Sequence, residues 1–326
     1  MTRRELMMAA AAGVAHAVSA AEKGDVPRRR LGKTGENVSI VGLGGFHLGT
    51  QRDERESIRI IRAGVDAGID FLDNCWDYND GESERRMGKA LADGYREKVF
   101  LMSKIDGRDR RTAAAQIDES LRRLRTDRLD LMQLHEVIHA SDPQVAFRSD
   151  GAIAALVDAR KAGKVRFIGF TGHKSAALHL SMLRAADQHG FAFDTVQLPL
   201  NLLDAHTDGF EKRVLPVLVD KGIGVLGMKP LADKLLLEAK AASAPDALRY
   251  AMSLPGVSVT ITGCDRMEIL EQALRVARGF VPLARAERDA LLARSAPAAR
   301  GDWERYKHTH EFDGTVQHPE WLGHAT

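Results

Sequence analysis

Short runs of β-branched residues and leucine alternate along most of the chain with helix-length segments whose apolar residues recur every three or four positions. This alternation restricts the fold more than any other feature. The strand-like runs are residues 38–42, 71–73, 99–103, 129–134, 165–171, 195–198, 224–228 and 258–261. Between them, Ile58, Ile61 and Val65 share one face of a helix over 57–67, and Ile117, Leu121 and Leu124 share one over 113–124. Pro245 opens another helix, which stops before Pro255-Gly256. Alternating strands and helices form parallel sheets, and strands this apolar are covered on both faces. About eight such units predict an α/β chain closed into a (β/α)8 TIM barrel. Ahead of them, Arg28 to Gly42 reads as a hairpin turned at residues 32–37. An open doubly wound sheet is the alternative, but "VGLGGFHLG" lacks the dinucleotide-fingerprint spacing.

Length is compatible with this reading: 326 residues exceed one barrel of about 250 by a leader and a tail. The formal net charge of +2, with arginines interspersed among acids, gives no basic stripe and no nucleic-acid partner. Two distant cysteines, Cys75 and Cys264, supply neither a disulfide framework nor iron–sulfur ligands. No apolar run reaches the roughly 18 residues of a membrane span.

A barrel places its chemistry at the C-terminal ends of its strands. Asp73 and Tyr78 follow the second strand-like run, Lys104 the third and His135 the fourth. Singly, each has an ordinary explanation: a turn cap, a packed aromatic, a loop ion pair, a core histidine. Together at one rim they are harder to account for by packing. A phenol ionises near pH 10. An adjacent ammonium lowers that value, and an aspartate fixes the ammonium. The tyrosine can then protonate a developing alkoxide while the histidine polarises the carbonyl oxygen. The set holds no carbon nucleophile, so a cofactor must bring the other reactant, most naturally a hydride.

"GIDFLDNCWDYNDGESERRMGKAL", the lysine after "VFLMS" and the histidine in "DLMQLH" resemble the signature of the aldo-keto reductase superfamily, and the similarity runs from about Arg30 to Leu274. The resemblance implies a nicotinamide cofactor, usually NADPH with NADH as the alternative, and reversible reduction of a small carbonyl compound. It makes Tyr78 the acid, Lys104 and Asp73 its tuning pair, and His135 the group that orients the carbonyl. In "FIGFTGHKS", Thr171 stands where a serine contacts the carboxamide and Gly172 where asparagine is common. Gln197 matches the glutamine that binds the carboxamide, with Asn201 nearby. Met228 occupies the place of a stacking aromatic, and Lys229 and Leu231 flank the pyrophosphate. Gly263 turns the adenosine segment, Arg266 suits a 2′-phosphate, and Gln272-Ala273 replaces a Glu-Asn pair. His47 and Trp76 are expected to line the substrate pocket, as is Glu136. Glu136 stands where relatives carry tryptophan, and its charge argues against purely aromatic or steroid substrates. A second implied role is regulatory, as in the β subunits of voltage-gated potassium channels. A metal-dependent barrel hydrolase would need His and carboxylates clustered at strand ends.

Three segments follow from this reading. Residues 1–26 carry Arg3-Arg4, an Ala-rich apolar run and small residues suited to cleavage, resembling a twin-arginine export signal. Export machinery of that type would carry the folded chain, cofactor bound, to the periplasm; without such a signal it stays cytoplasmic. Residues 27–285 form the barrel and reductase domain. Residues 286–326 form an extension, irregular in its tail but too aromatic to be disordered, which packs on the barrel. His308 and His310 lack the Cys or carboxylate spacing that would complete a metal site, so none is assigned.

Overall fold

A computed structural model of the chain describes residues 25–299 and 304–323. The expected export segment lies outside the described residues except for Asp25 and Val26. Two strands, β1 (Arg28–Arg30) and β2 (Asn37–Ser39), form an antiparallel hairpin. Eight more close into a parallel barrel: β3 (Val41–Gly44), β4 (Phe71–Asp73), β5 (Phe100–Ile105), β6 (Leu129–Leu134), β7 (Val165–Thr171), β8 (Thr195–Pro199), β9 (Gly224–Met228) and β10 (Val257–Gly263), with β10 pairing back to β3.

The strand expected over 38–42 is divided in two. β2 pairs with β1, whereas β3 pairs with β4 and β10, and the chain passes from hairpin to barrel at Ile40. The apolar phase shifts there, from Val38 and Ile40 to Val41 and Leu43, which marks a break but does not reveal which strands the chain pairs with next. The first long helix, Glu54–Asp66, starts earlier than expected because the Asp53 carboxylate accepts from the Arg55 amide and caps it. Its buried face is Ser57, Ile60, Ile61, Gly64 and Val65, with Ile58 at the margin. Asp109 caps the helix Arg110–Leu124 in the same way.

Side chains two apart on a strand share a face, and this rule connects the core to the rim. Phe71, Phe100, Met102, Leu131, Phe167, Leu226, Val259 and Ile261 meet inside the barrel. One inward step further along their strands stand Asp73, Lys104, Gln133, Met228 and Gly263, and two steps beyond Phe167 stands Thr171. The interior thus grades from apolar at the base to polar at the top. Leu31 and Val38 of the hairpin join the apolar cluster and close the base.

The extension is more regular than expected. Arg285–Ser295 is a helix, and the tail forms short helical turns at Arg305–His308, Gly314–Gln317 and Pro319–Leu322. Each tail turn is too short to show a period and is held by contacts to the barrel. Leu31 is fully buried in the base plug, so Leu31→Ala is expected to cost about 2–5 kcal/mol, measured as a lowered urea midpoint.

Candidate active site

Asp73 ends β4, Lys104 faces inward near the top of β5, and Tyr78 stands in the loop that leads from β4 to the helix Glu82–Ala90. That loop is tight: Asn79 and Asp80 both adopt φ of 54°. The Lys104 Nζ donates to Asp73 Oδ1 at 2.5 Å, to the Asn74 carbonyl at 2.7 Å and to the Tyr78 hydroxyl at 3.1 Å. An ammonium has three protons, and all three are committed. The Gln197 amide donates to Asp73 Oδ2 at 3.1 Å, so both carboxylate oxygens are engaged as well.

Burial works against the Lys104 charge, but Asp73 more than offsets it and holds the ammonium above its ordinary range. The Tyr78 phenol departs from expectation. Burial raises its pKa well above the ordinary value, and Lys104 only moderates the rise. Asp73 already balances the ammonium, so the phenol is kept protonated rather than made acidic in the resting chain.

His135 follows β6 with its ring edge-on to Tyr78, centroids 5.8 Å apart. Its Nδ1 lies 2.9 Å from Asp106 Oδ1, 3.2 Å from Cys75 Sγ and 3.5 Å from Asp77 Oδ1. Burial disfavours the imidazolium, yet Asp77 and Asp106 raise it to about 9. Burial, followed by the Asp106 charge, brings Asp77 up to about 7. Beneath them the buried Arg108 guanidinium donates to the carbonyls of Asp106, His135 and Glu136 and to the Asp142 carboxylate, tying the ends of β5 and β6 together. Cys75, Asp77, Asp106 and Arg108 were not singled out from the sequence, because each lacks a spacing signal and acquires neighbours only through the fold.

The residues matched to cofactor positions form an arc along the rest of the rim. Thr171 ends β7, with its hydroxyl 4.0 Å from the Met228 sulfur at the end of β9. Gly172 leaves no room for the asparagine common at this position, since a Cβ there would meet the Val137 carbonyl at 2.5 Å. Gln197 keeps its Oε1 buried and, among the described residues, without a hydrogen-bond partner. Asn201 is spent on the Leu203 and Asp204 amides, the Lys229 carbonyl and the Tyr306 hydroxyl. Lys229 makes no ion pair among the described residues and lies over the rings of Tyr306 and Phe312, 5.1 and 5.0 Å from their centroids. Leu231 is half-buried beyond it, in a loop where Lys229, Ala232, Asp233 and Lys234 all have positive φ. Gly263 ends β10, Arg266 is exposed with Asp265 at 3.5 Å, and Gln272 lies on the helix Met267–Arg278.

The three expected substrate-pocket residues go elsewhere. His47 sits against Gly263, where an added Cβ would come within 2.2 Å of its Nδ1, and so stands beside a residue matched to the cofactor rather than against Tyr78. Burial, more than the nearby Lys234 and Lys229, lowers its pKa. Trp76 turns outward because Cys75 before it turns inward; it donates to Glu119 Oε2 at 2.8 Å and meets Trp321 edge-on at 5.8 Å. Glu136 accepts from the Gly314 amide at 3.0 Å and from the Thr315 amide and hydroxyl at 2.8 and 2.7 Å. Its charge is spent on the tail, which removes the argument drawn from it against aromatic substrates. Beside Tyr78 stands Phe46, edge-on to it at 5.5 Å and 49% exposed.

The tail lies across the strand ends as a strap. Lys307 pairs with Asp204, Lys174 and His173 with Asp313, Glu136 holds Gly314 and Thr315, and the Trp321 and Leu322 carbonyls accept from Gln116 and Arg108.

A closed barrel with this aspartate, lysine and tyrosine at its strand-end rim belongs among oxidoreductases rather than hydrolases. The Aldo/keto reductase family model matches residues 40–246, and the chain is a member of that family. It is 32% identical over 226 residues to the oxidoreductase YrpG of Bacillus subtilis, covering 63% of this chain and 67% of that one. It is 31% identical over 229 residues to L-galactose dehydrogenase of Arabidopsis thaliana, covering 64% and 67%. The holo form of aldo-keto reductase AKR11C1 from Bacillus halodurans shares the fold, with a TM-score of 0.69 at 24% identity over 82% of this chain and 95% of that one. The chain thus spans about two thirds of the length of these curated relatives.

Asp313 is the strap's anchor. Burial raises its pKa, but hydrogen bonds from His173, Lys174 and His310 prevail and bring it down to about 2. An unfolded aspartate titrates near 3.9, so this contribution to stability is complete above about pH 4 and is lost as pH falls towards about 2. Hydrogen exchange over residues 304–323 is expected to rise in that window. Asp313→Asn should exchange faster already at neutral pH and show no such step.

Proposed function

We propose that this chain reduces an aldehyde or ketone at the expense of a reduced nicotinamide, NADPH by preference, with Tyr78 as the proton donor. The observation that carries the reading is the saturated ammonium of Lys104. Because Lys104 donates to the phenolic oxygen, the phenol's own hydrogen is free to point at a substrate oxygen. The raised pKa keeps that hydrogen in place until an alkoxide develops beside it. As the proton leaves, Lys104 is already positioned to stabilise the phenolate, and Asp73, gripped by Gln197, holds Lys104 still. His135 has its Nδ1 engaged, which leaves Nε2 as the ring nitrogen able to meet the carbonyl oxygen. Phe46 supplies an apolar wall next to the acid.

The rim suits a nicotinamide dinucleotide. Among the described residues, the Gln197 Oε1 is an unpaired acceptor suited to a carboxamide, and Lys229 is a half-buried cation without a carboxylate partner. When bound, the reduced nicotinamide supplies the hydride that no side chain here provides. Thr171, beside Gln197, would hold its carboxamide, with Met228 on the ring face. Lys229 and Leu231 would flank the pyrophosphate. Gly263, Arg266 and Gln272 would hold the adenosine end, with Arg266 at a helix N-terminus suited to a phosphate.

Tyr78→Phe is expected to lower turnover by ~10²-fold or more while NADPH still quenches protein fluorescence. Full turnover in the variant would refute the assignment, and cofactor binding without turnover of any aldehyde by the unmodified chain would favour a regulatory role. Arg266→Ala should weaken NADPH binding about tenfold, the effect of one charge-assisted contact, and leave NADH binding unchanged in a fluorescence titration.

A further inference from the structure

Beside the proton donor, four potential metal ligands from three successive strand ends converge. Cys75 and Asp77 follow β4, Asp106 follows β5 and His135 follows β6. One ligand atom from each lies within 4.8 Å of all the others. Cys75 and Asp106 are fully buried, and His135 is 8% exposed.

Protons alone serve this cluster poorly. Three groups close on a single ring nitrogen: Asp106 Oδ1 at 2.9 Å, Cys75 Sγ at 3.2 Å and Asp77 Oδ1 at 3.5 Å from His135 Nδ1. That nitrogen carries one proton or one lone pair and satisfies one of them. Cys75 Sγ also meets the Lys104 carbonyl at 3.7 Å and lies within hydrogen-bonding reach of the Asp77 carboxylate. Among the described residues, Asp77 Oδ1 and Asp106 Oδ2 are buried and accept no hydrogen bond of ordinary geometry. An orphaned oxygen on a wholly buried aspartate is costly. No arginine or lysine nitrogen lies within ion-pair distance of either aspartate among the described residues, because Arg108 is turned to carbonyls and to Asp142.

We propose that Cys75, Asp77, Asp106 and His135 bind one divalent transition-metal ion of the zinc class. A cation at their centre meets four donors at once, as a proton does not. Bonds of about 2.0–2.3 Å to a tetrahedral ion separate the ligand atoms by about 3.3–3.6 Å. The separations around Nδ1, from 2.9 to 3.5 Å, lie close to this range, and the remaining pairs lie within 4.8 Å. Thiolate and imidazole select a zinc-like ion over magnesium or calcium, which demand six or more oxygens. Four protein donors leave no open position, the pattern of a structural ion. Such an ion clips the ends of β4, β5 and β6 and fixes the His135 ring through Nδ1, leaving Nε2 turned to the substrate side. The site does not depend on the hydride-transfer reading, since the ion is bound or not whether or not a carbonyl is reduced.

The test is to strip the full chain with a chelator and reload it with Co2+ alone. One Co2+ per chain is expected, with the visible bands of a four-coordinate site and a near-ultraviolet thiolate-to-cobalt charge-transfer band. Cys75→Ala should abolish the charge-transfer band. Asp106→Asn should lower Co2+ affinity by more than about 100-fold, the upper range for loss of an outer partner alone. Failure of the unmodified chain to take up cobalt overturns the proposal. So does bound cobalt without a thiolate band, as the tail histidines would give, or a band that survives in Cys75→Ala. Should Asp106→Asn misfold by circular dichroism, the spectra of the unmodified chain and of Cys75→Ala decide.

Discussion

An ammonium and a carboxylate buried side by side at the top of the barrel set the terms for everything around them. Desolvating Lys104 and Asp73 is expensive, and their mutual attraction compensates only where every remaining proton and lone pair is satisfied. The chain meets that demand in full: Lys104 finds Asp73, Asn74 and Tyr78, and Asp73 finds Lys104 and Gln197. The pair therefore sits where three strand ends supply partners and nowhere deeper, in the Phe, Leu and Met layer below. The tyrosine's position follows from the same accounting, because it is the third acceptor the ammonium needs.

The rim is completed by residues far away in sequence. Three acids, Asp204, Glu136 and Asp313, hold the strap by ion pairs or backbone amides, and two of its aromatics enclose Lys229. Lysine is thus used twice at this rim, once saturated at Lys104 and once under rings at Lys229, where burial lowers its pKa. An aromatic face attracts a cation without cancelling its charge. Lys229 therefore remains available to an anion, while Lys104 is closed to one.

The legibility of the site divides along physical lines. Asp73, Tyr78, Lys104 and His135 were readable because each lies at or just beyond a strand end, and a barrel brings strand ends to one rim. His47, Trp76 and Glu136 were placed by the same rule and went elsewhere. Side chains alternate in direction from one residue to the next, so Cys75 turns inward and Trp76 outward, and nearness to a strand end does not fix which way a side chain faces. Glu136 was read without its partner, since the amides of Gly314 and Thr315 lie nearly 180 residues away along the chain. Asp77 and Asp106 carry no motif, and only the closure of β4 against β5 and β5 against β6 sets them around one imidazole.

By itself the sequence determined the barrel, its strand count and the end at which the polar residues gather. Hydrophobic periodicity is local, and two-residue alternation decides which side chains face inward. The tertiary structure alone decided the junction at Ile40, the course of the strap, the neutral resting state of Tyr78 and the four donors that meet at His135. These depend on burial and on contacts between segments distant in the chain, and both come into existence only when the strands close.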